Sequence, residues 1–158
     1  ALLKLGVPLI VSHMFVFYFG IMADLTPPVA LAAFAASSIA KESPMKIGFK
    51  AVQVAIAGFV VPYMAVYDNA LMLQGDWTAA AVAYVVFKAV VSIALWGAAA
   101  IGFLFAPLNW LERLCAAAAA FFLVAAIPLT DEIGFVLAAL FLGWHGWRSR
   151  RAARTDFS

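Results

Sequence analysis

Four closely spaced residues near the start of the chain have the chemistry of a binding site: Asp24, Thr26, Pro27 and Pro28. Proline lacks a backbone N–H, and its ring clashes with the carbonyl one turn earlier, so two adjacent prolines interrupt a helix. The residue before a proline is driven out of the helical region, which predicts an extended Thr26. We therefore expect one helix to end near Ala23 and a second helix to begin at Pro27 or Pro28.

A helix that is interrupted in this way can bind ions and acids. The end of its first half leaves carbonyl oxygens without partners, and the start of its second half leaves N–H groups without partners. Secondary transporters use such discontinuous helices, whose carbonyls bind Na⁺ and whose N–H groups bind an anionic substrate. Thr26 adds a hydroxyl, and Asp24 adds a carboxylate that is too costly to face lipid. The alternative interpretation is a structural kink that binds nothing.

The composition indicates that these residues lie in a membrane protein. Of the 158 residues, 67% are hydrophobic and only 11% are charged, whereas about a quarter of a soluble domain is charged. Since a spanning helix needs about 20 mainly apolar residues, the sequence predicts an all-α integral membrane fold with about five transmembrane segments. The first segment is discontinuous and is broken at residues 24–28. The predicted segments are 7–40, 48–66, 78–105, 114–129 and 133–147.

The positive charges predict how the chain is oriented. Lys and Arg in short loops favour the cytoplasmic side. Alternation of the segments places Asp131 and Glu132 outside, in a turn at 128–132, and places the C-terminus in the cytoplasm. Nucleic acid is not an expected partner, because arginines that follow a membrane span are far more often a topology signal. Eight of the ten Lys and Arg residues are then cytoplasmic, namely Lys41, Lys46, Lys50, Arg113, Arg148, Arg150, Arg151 and Arg154.

Three polar residues outside the break lie in or beside predicted spans. His13 is either a ligand for a proton or substrate, or a hydrogen-bonded packing residue. Lys88 is expected to snorkel towards the membrane surface or to pair with a carboxylate of another helix. His145 is expected at the membrane interface. The single Cys115 offers neither a disulfide nor a cysteine metal site, and the sequence lacks a credible nucleophile and base for an enzyme.

The residues around the break resemble a known transporter family. The large permease subunit of tripartite ATP-independent periplasmic (TRAP) transporters is similar to residues 20–51, GIMADLTPPVALAAFAASSIAKESPMKIGFKA. The fused-permease branch that works with TAXI-type binding proteins resembles two flanking stretches, SHMFVFYF at 12–19 and VVPYMAVYDNALML at 60–73. The resemblance is specific over residues 5–73 and only general beyond them.

The resemblance implies a multi-pass permease of the bacterial inner membrane that imports organic acids, such as dicarboxylates or related carboxylates. It also implies a periplasmic solute-binding protein of the TAXI type as partner and Na⁺ as the coupling ion, with no other cofactor. The family's sodium site maps onto the Thr26 hydroxyl, with the backbone carbonyls of Met22 and Ala23. The candidate substrate-binding residues are Asp24, Pro27, Pro28 and His13.

The same resemblance divides the chain into three parts. Residues 1–73 are expected to form the C-terminal part of the transport repeat, 74–147 three further transmembrane helices, and 148–158 a basic cytoplasmic tail. The remaining N-terminal part of the same permease would be a partner, because the second repeat would lie there and the chain alone would not transport. The lipid bilayer is the other expected partner. The alternative function is a non-transporting accessory or scaffold membrane protein.

Overall fold

The computed structural model describes residues 2–125 and 128–155, and its regular elements within them are helical, as predicted. The chain folds as two compact units, Ala1–Val86 (unit 1) and Phe87–Ser158 (unit 2). Three 3₁₀ turns lie at Leu2–Leu5, Ile56–Phe59 and Asn69–Met72. The α-helices of the described residues are α1 (Leu9–Met22), α2 (Leu31–Ala40), α3 (Pro44–Ala55), α4 (Val60–Tyr67), α5 (Ala79–Ile101), α6 (Trp110–Val124) and α7 (Pro128–Thr155).

The predicted break is present in unit 1, but the second helix begins later than expected. α1 ends at Met22, and α2 begins only at Leu31 rather than at Pro27 or Pro28. Pro28 keeps Pro27 out of the helical region, because a proline restricts the residue before it. Ala30 then adopts a left-handed conformation with φ 38°, so a helix cannot start before it.

The other half of unit 1 is one nearly continuous helical segment. α3, the 3₁₀ turn at Ile56–Phe59 and α4 together form Pro44–Tyr67, which is long and apolar enough to cross a membrane and contains the predicted span 48–66. It starts where the sequence has a start signal. The Ser43 side chain accepts a hydrogen bond from the Lys46 N–H at 3.2 Å, and Pro44 occupies the first turn, where its missing N–H costs nothing.

The second helix in the described residues that is long and apolar enough to cross a membrane is α5, Ala79–Ile101. It ends before the predicted position 105 because Gly102 takes a φ of 81°, the left-handed conformation in which many helices end. α1 and α2 are also apolar, but they are only 14 and 10 residues long. The total of about five spans therefore stays a prediction.

In unit 2, α6 and α7 pack against each other, but the turn predicted at 128–132 is wrong. α7 already begins at Pro128, and Asp131 lies in its first turn. Proline suits the first turn of a helix, and an acidic side chain there interacts favourably with the helix dipole. α7 continues to Thr155, so much of the segment predicted as a basic tail at 148–158 is helical.

Small side chains let the helices of unit 2 approach each other closely. A Cβ atom on Gly134 of α7 would lie 2.8 Å from Cγ of Leu123 on α6, so a larger residue does not fit there. Small residues are typical of membrane helix interfaces because they allow backbones to come together. The buried core consists of Leu95, Ala99, Ala116, Ala119, Ala120, Leu123, Ala138 and Phe141.

Candidate functional site

The break between α1 and α2 is a turn held by backbone and hydroxyl hydrogen bonds. The Thr26 hydroxyl donates to the Met22 carbonyl oxygen at 2.8 Å, and the Leu25 N–H donates to the same oxygen at 3.1 Å. The Thr26 N–H donates to the Ala23 carbonyl oxygen at 3.2 Å. A carbonyl oxygen has two lone pairs, so the oxygen of Met22 is filled within the turn, whereas that of Ala23 keeps one lone pair.

The Thr26 hydroxyl is the best placed oxygen of the break for a cation. Its hydrogen points to the Met22 carbonyl, so both lone pairs of the hydroxyl oxygen remain available. The side chain is half-buried. The Thr26 hydroxyl and the Ala23 carbonyl therefore have lone pairs free of hydrogen bonds, whereas the Met22 carbonyl would first have to release one of its donors. The ion site itself stays a prediction.

Two backbone hydrogen bonds connect the start of α2 to the turn that follows α1. The Ala30 N–H donates to the Thr26 carbonyl at 3.0 Å, and the Ala32 N–H donates to the Asp24 carbonyl at 3.1 Å. The second bond uses one of the N–H groups at the start of α2 that the sequence predicts for an anionic ligand. Fewer N–H groups are therefore available to an anion here than at a helix N-terminus whose first N–H groups are all unpaired.

Six of the seven predicted site residues lie at the break, with Met22 and Ala23 at the end of α1, and His13 does not. Asp24, Thr26, Pro27 and Pro28 all lie in the turn between α1 and α2. The Asp24 side chain is exposed and has no ion pair within the described residues. His13 is exposed on α1, nine residues before its end, which corresponds to roughly 14 Å along the helix axis. The structure therefore does not place His13 beside the break.

Two glycines of the Pro44–Tyr67 segment press against the break. A Cβ on Gly48 would lie 2.9 Å from Cγ of Pro27 and 3.5 Å from Cβ of Ala30. A Cβ on Gly58 would lie 3.2 Å from the Tyr18 hydroxyl and 3.4 Å from Cε of Met22. One glycine thus contacts the second side of the break, and the other contacts the end of α1.

We expect Gly48→Leu to destabilise the protein by about 1–3 kcal/mol, which is typical of overpacking. The reason is that Gly48 is buried against the rigid ring of Pro27, which cannot move aside as a flexible side chain would. The measurement is the midpoint of thermal unfolding of the purified protein, checked for a single species by size-exclusion chromatography.

The matched control is Gly20→Leu, in the apolar helix α1. A Cβ on Gly20 meets nothing within 4 Å in the described residues, whereas one on Gly48 meets Pro27 at 2.9 Å. Equal unfolding midpoints for the two variants would contradict close packing of Gly48 on Pro27.

Comparison with known proteins identifies the family. The family model described as the DctM component of the tripartite ATP-independent periplasmic transporter matches residues 1–80, half of the chain. The chain belongs to this family. The TRAP resemblance is thereby confirmed, and so is the prediction that the protein is not an enzyme, because DctM is a transporter component. No curated protein and no solved structure matches the chain.

The DctM match contains the whole candidate site, because it covers α1 to α4 and the break. DctM components are proteins of the bacterial inner membrane that work with a periplasmic binding protein and a small membrane subunit. Residues 81–158 lie outside the match, and there two buried polar clusters are found that belong to unit 2.

The first cluster is an ion pair between α5 and α7. The Lys88 ammonium lies 3.0 Å from Oδ2 and 3.2 Å from Oδ1 of Asp131. The exposed fractions of the two residues are 1% and 8%. Of the two predictions for Lys88, pairing with a carboxylate is confirmed. The partner, Asp131, was predicted to lie in a turn outside the membrane.

The second cluster joins the start of α6 to the last third of α7. The Glu112 carboxylate lies 2.8 Å from the Arg148 guanidinium and 3.4 Å from Nδ1 of His145, and it accepts a hydrogen bond from the Asn109 N–H at 2.8 Å. His145 is fully buried, and its ring stacks on Phe141 at 5.8 Å. His145 is thus packed inside unit 2, and its position at the membrane interface stays a prediction.

Arg113 donates hydrogen bonds to carbonyl oxygens at the end of α5. Its guanidinium donates to the carbonyl oxygens of Ala99 at 2.7 Å and Ala100 at 3.1 Å, while the Gly102 N–H donates to the Ala98 carbonyl at 2.8 Å. The last four carbonyls of a helix have no partner within the helix. Here three of them are satisfied by the chain itself, and a cation at this end also suits the helix dipole.

Part of the second cluster has a sequence signal that was missed. Asn109 and Glu112 have the spacing of a capping box before an apolar run, and the structure contains this box. The signal predicts a carboxylate held at the start of α6. No comparable local signal marks Asp131 or His145, because their partners lie 43 and 33 residues away in the sequence.

Proposed function

We propose that the chain is the ion- and substrate-binding part of a Na⁺-coupled TRAP permease that imports organic acids, such as dicarboxylates, delivered by a TAXI-type binding protein. The observation that carries the proposal is the hydroxyl of Thr26, which is held at the break with both lone pairs available. The TAXI branch is supported by the likeness of residues 12–19 and 60–73, and the transporter class by the DctM match.

The ion at this site would be bound by neutral oxygens with one carboxylate nearby. No three His, Cys, Asp or Glu side chains cluster within residues 2–125 and 128–155. A cation at the break therefore depends on the Thr26 hydroxyl, the Ala23 carbonyl and, after rearrangement, the Met22 carbonyl. Discontinuous transporter helices use the same kind of donor for Na⁺.

Asp24 provides a reason for ion and acid to bind together. Its exposed carboxylate lies in the same turn as Thr26, and alone it would repel an anionic substrate. A Na⁺ ion bound beside it cancels that charge, so the N–H groups at the start of α2 and the backbone near Pro27 and Pro28 become accessible to a substrate carboxylate. Coupling then follows from charge balance within one turn.

The proposal extends to the topology and to the partners. Arg148, Arg150 and Arg151 near the end of α7 favour a cytoplasmic C-terminus by the positive-inside rule. We propose that the remaining part of the permease supplies the second half of the transport site, since residues 1–80 hold a single broken helix of this kind in the described chain.

The test is substrate uptake into liposomes by the complete permease, reconstituted with its candidate binding protein, with and without a Na⁺ gradient. We expect uptake only when the gradient and the binding protein are both present. Uptake that does not depend on Na⁺, in protein shown to be folded, would overturn the ion site. Uptake without the binding protein would overturn the TAXI partnership.

The competing hypothesis is a scaffold membrane protein in which the prolines only form a kink. One observation favours it, namely that the Met22 carbonyl is already filled within the turn. The two hypotheses differ in what Thr26 does. A scaffold needs its hydroxyl for packing alone, whereas a transporter needs it for sodium.

A further inference from the structure

The Pro44–Tyr67 segment changes its helical form next to the candidate site. Residues Ile56–Phe59 are a 3₁₀ turn between α3 and α4. Pro62 has no N–H, so the hydrogen bond that a regular α-helix would make to the Gly58 carbonyl cannot form. A 3₁₀ stretch within a longer helix often marks a hinge. Here the sequence explains why the stretch is found at this point.

The two helices on either side of this turn pack against different partners. α4 packs on α1, with the ring of Tyr63 5.4 Å from that of Phe15 and 5.7 Å from that of Phe19. α3 packs on α2 instead, and its Gly48 also contacts the ring of Pro27. Within the compact unit 1, two helix pairs can therefore be distinguished, α1 with α4 and α2 with α3, which we call the two bodies.

Only two segments connect the two bodies along the chain. One is the break between α1 and α2, and the other is the 3₁₀ turn between α3 and α4. The 3₁₀ turn lies against the end of α1, because the ring of Phe59 is 5.9 Å from that of Phe19 and a Cβ on Gly58 would lie 3.4 Å from Cε of Met22. The 3₁₀ turn is thus close to the end of α1, where the break begins.

We propose that the 3₁₀ turn and the break form a paired hinge about which the α2–α3 body moves relative to the α1–α4 body. A cation that binds the carbonyl end of α1 and the Thr26 hydroxyl touches the segment that joins the two bodies, so it binds one hinge angle better than another. A ligand shifts a conformational equilibrium only through such a difference in affinity. The link to Na⁺ rests on the proposed function, whereas the hinge does not.

The test compares Pro62→Ala with Pro44→Ala in the full-length permease. Pro62→Ala restores an N–H and allows a regular α-helix through the turn. Pro44→Ala changes a proline of the same segment in the first turn, where the missing N–H has no partner to lose. Spin labels are placed on the exposed positions Lys50 of α3 and Tyr67 of α4, in a cysteine-free background that includes Cys115→Ala.

Pulsed electron paramagnetic resonance then measures the distance between the labels in lipid nanodiscs. We expect a broad or two-peaked distribution in the parent protein and in Pro44→Ala, and a single narrow peak in Pro62→Ala. We also expect Na⁺ to redistribute the populations in the first two proteins and not in the third. Gly58→Ala, which favours a regular helix at the same turn, is the second variant and should narrow the distribution as well.

The outcomes separate the hinge from the proposed function. Identical distributions for the parent, Pro62→Ala and Gly58→Ala would overturn the hinge, and Na⁺-dependent uptake could still be present. A narrow peak in Pro62→Ala with no response of the parent to Na⁺ would support the hinge and remove its link to the ion. In uptake assays, the hinge predicts an about tenfold lower maximum rate for Pro62→Ala, with half-saturating Na⁺ unchanged, since conformational steps often limit turnover.

Discussion

Replacing Thr26 by alanine should abolish sodium-dependent uptake and leave the amount of permease in the membrane unchanged. The substitution removes the hydroxyl oxygen proposed to bind the cation, together with its 2.8 Å hydrogen bond to the Met22 carbonyl. Loss of one hydroxyl-to-backbone bond costs only about 1 kcal/mol of stability. Loss of an ion ligand, by contrast, weakens Na⁺ binding in every transport cycle. The measurement is the initial rate of uptake against Na⁺ concentration, normalised to membrane abundance.

Two substitutions serve as controls for this prediction. Thr26→Ser keeps the hydroxyl and should retain sodium-dependent uptake. Ser38→Ala on α2 removes a similar bond, from a hydroxyl to the Ala35 carbonyl at 2.9 Å, outside the break, and should have little effect. If Thr26→Ala lowers abundance and uptake in equal proportion, Thr26 is a packing residue and the scaffold hypothesis gains.

Breaking the Lys88–Asp131 pair should destabilise unit 2 by about 3–5 kcal/mol, the usual cost of leaving one charge of a buried pair unmatched. We therefore expect Lys88→Met alone to lower the thermal stability of the permease strongly. The double substitution Lys88→Met with Asp131→Leu should recover much of the loss, because neither charge of the pair is then left without its partner. The measurement is the unfolding midpoint of the purified permease in one detergent for all variants.

An exposed ion pair of the same chain is the control. Lys46 and Glu42 are joined at 2.7 Å, but their side chains are 65% and 48% exposed. Exposed pairs of this kind contribute about 0–1 kcal/mol, so Lys46→Met should hardly change the midpoint. A Lys88→Met variant as stable as Lys46→Met would mean that the Asp131 charge finds water in the membrane-embedded protein.

The break was predictable from sequence because proline acts locally. Two missing N–H groups and two ring clashes are properties of Pro27 and Pro28 themselves, and no distant residue can restore a regular helix there. The start of α2 at Leu31 was not predictable, because it depends on the left-handed backbone of Ala30 and on the packing of Pro27 against Gly48. Local chemistry therefore located the candidate site, and tertiary packing determined its shape.

In unit 2, the start of α7 and the ion pair that depends on it were not predictable from the sequence. Pro128 is compatible with a turn and with the first turn of a helix, and sequence alone does not decide between them. The turn interpretation placed Asp131 in water, and Lys88 was left without an identified partner. In the structure α7 begins at Pro128, which brings the carboxylate to the ammonium 43 residues earlier in the chain. The start of α7 thus determines whether Lys88 and Asp131 form an ion pair.

The guanidinium of Arg113 bears on how deep unit 2 can lie in the bilayer. α6 has 15 residues, about 22 Å of helix, whereas the hydrocarbon layer is about 30 Å thick. A short helix normally has to pull the lipid headgroups inward so that water reaches its ends. At the junction of α5 and α6 the chain carries its own donors, on Arg113 and Gly102, to three of the four terminal carbonyls of α5. These three carbonyls therefore need no water, so the end of α5 can lie as deep as the positive charge of Arg113 allows.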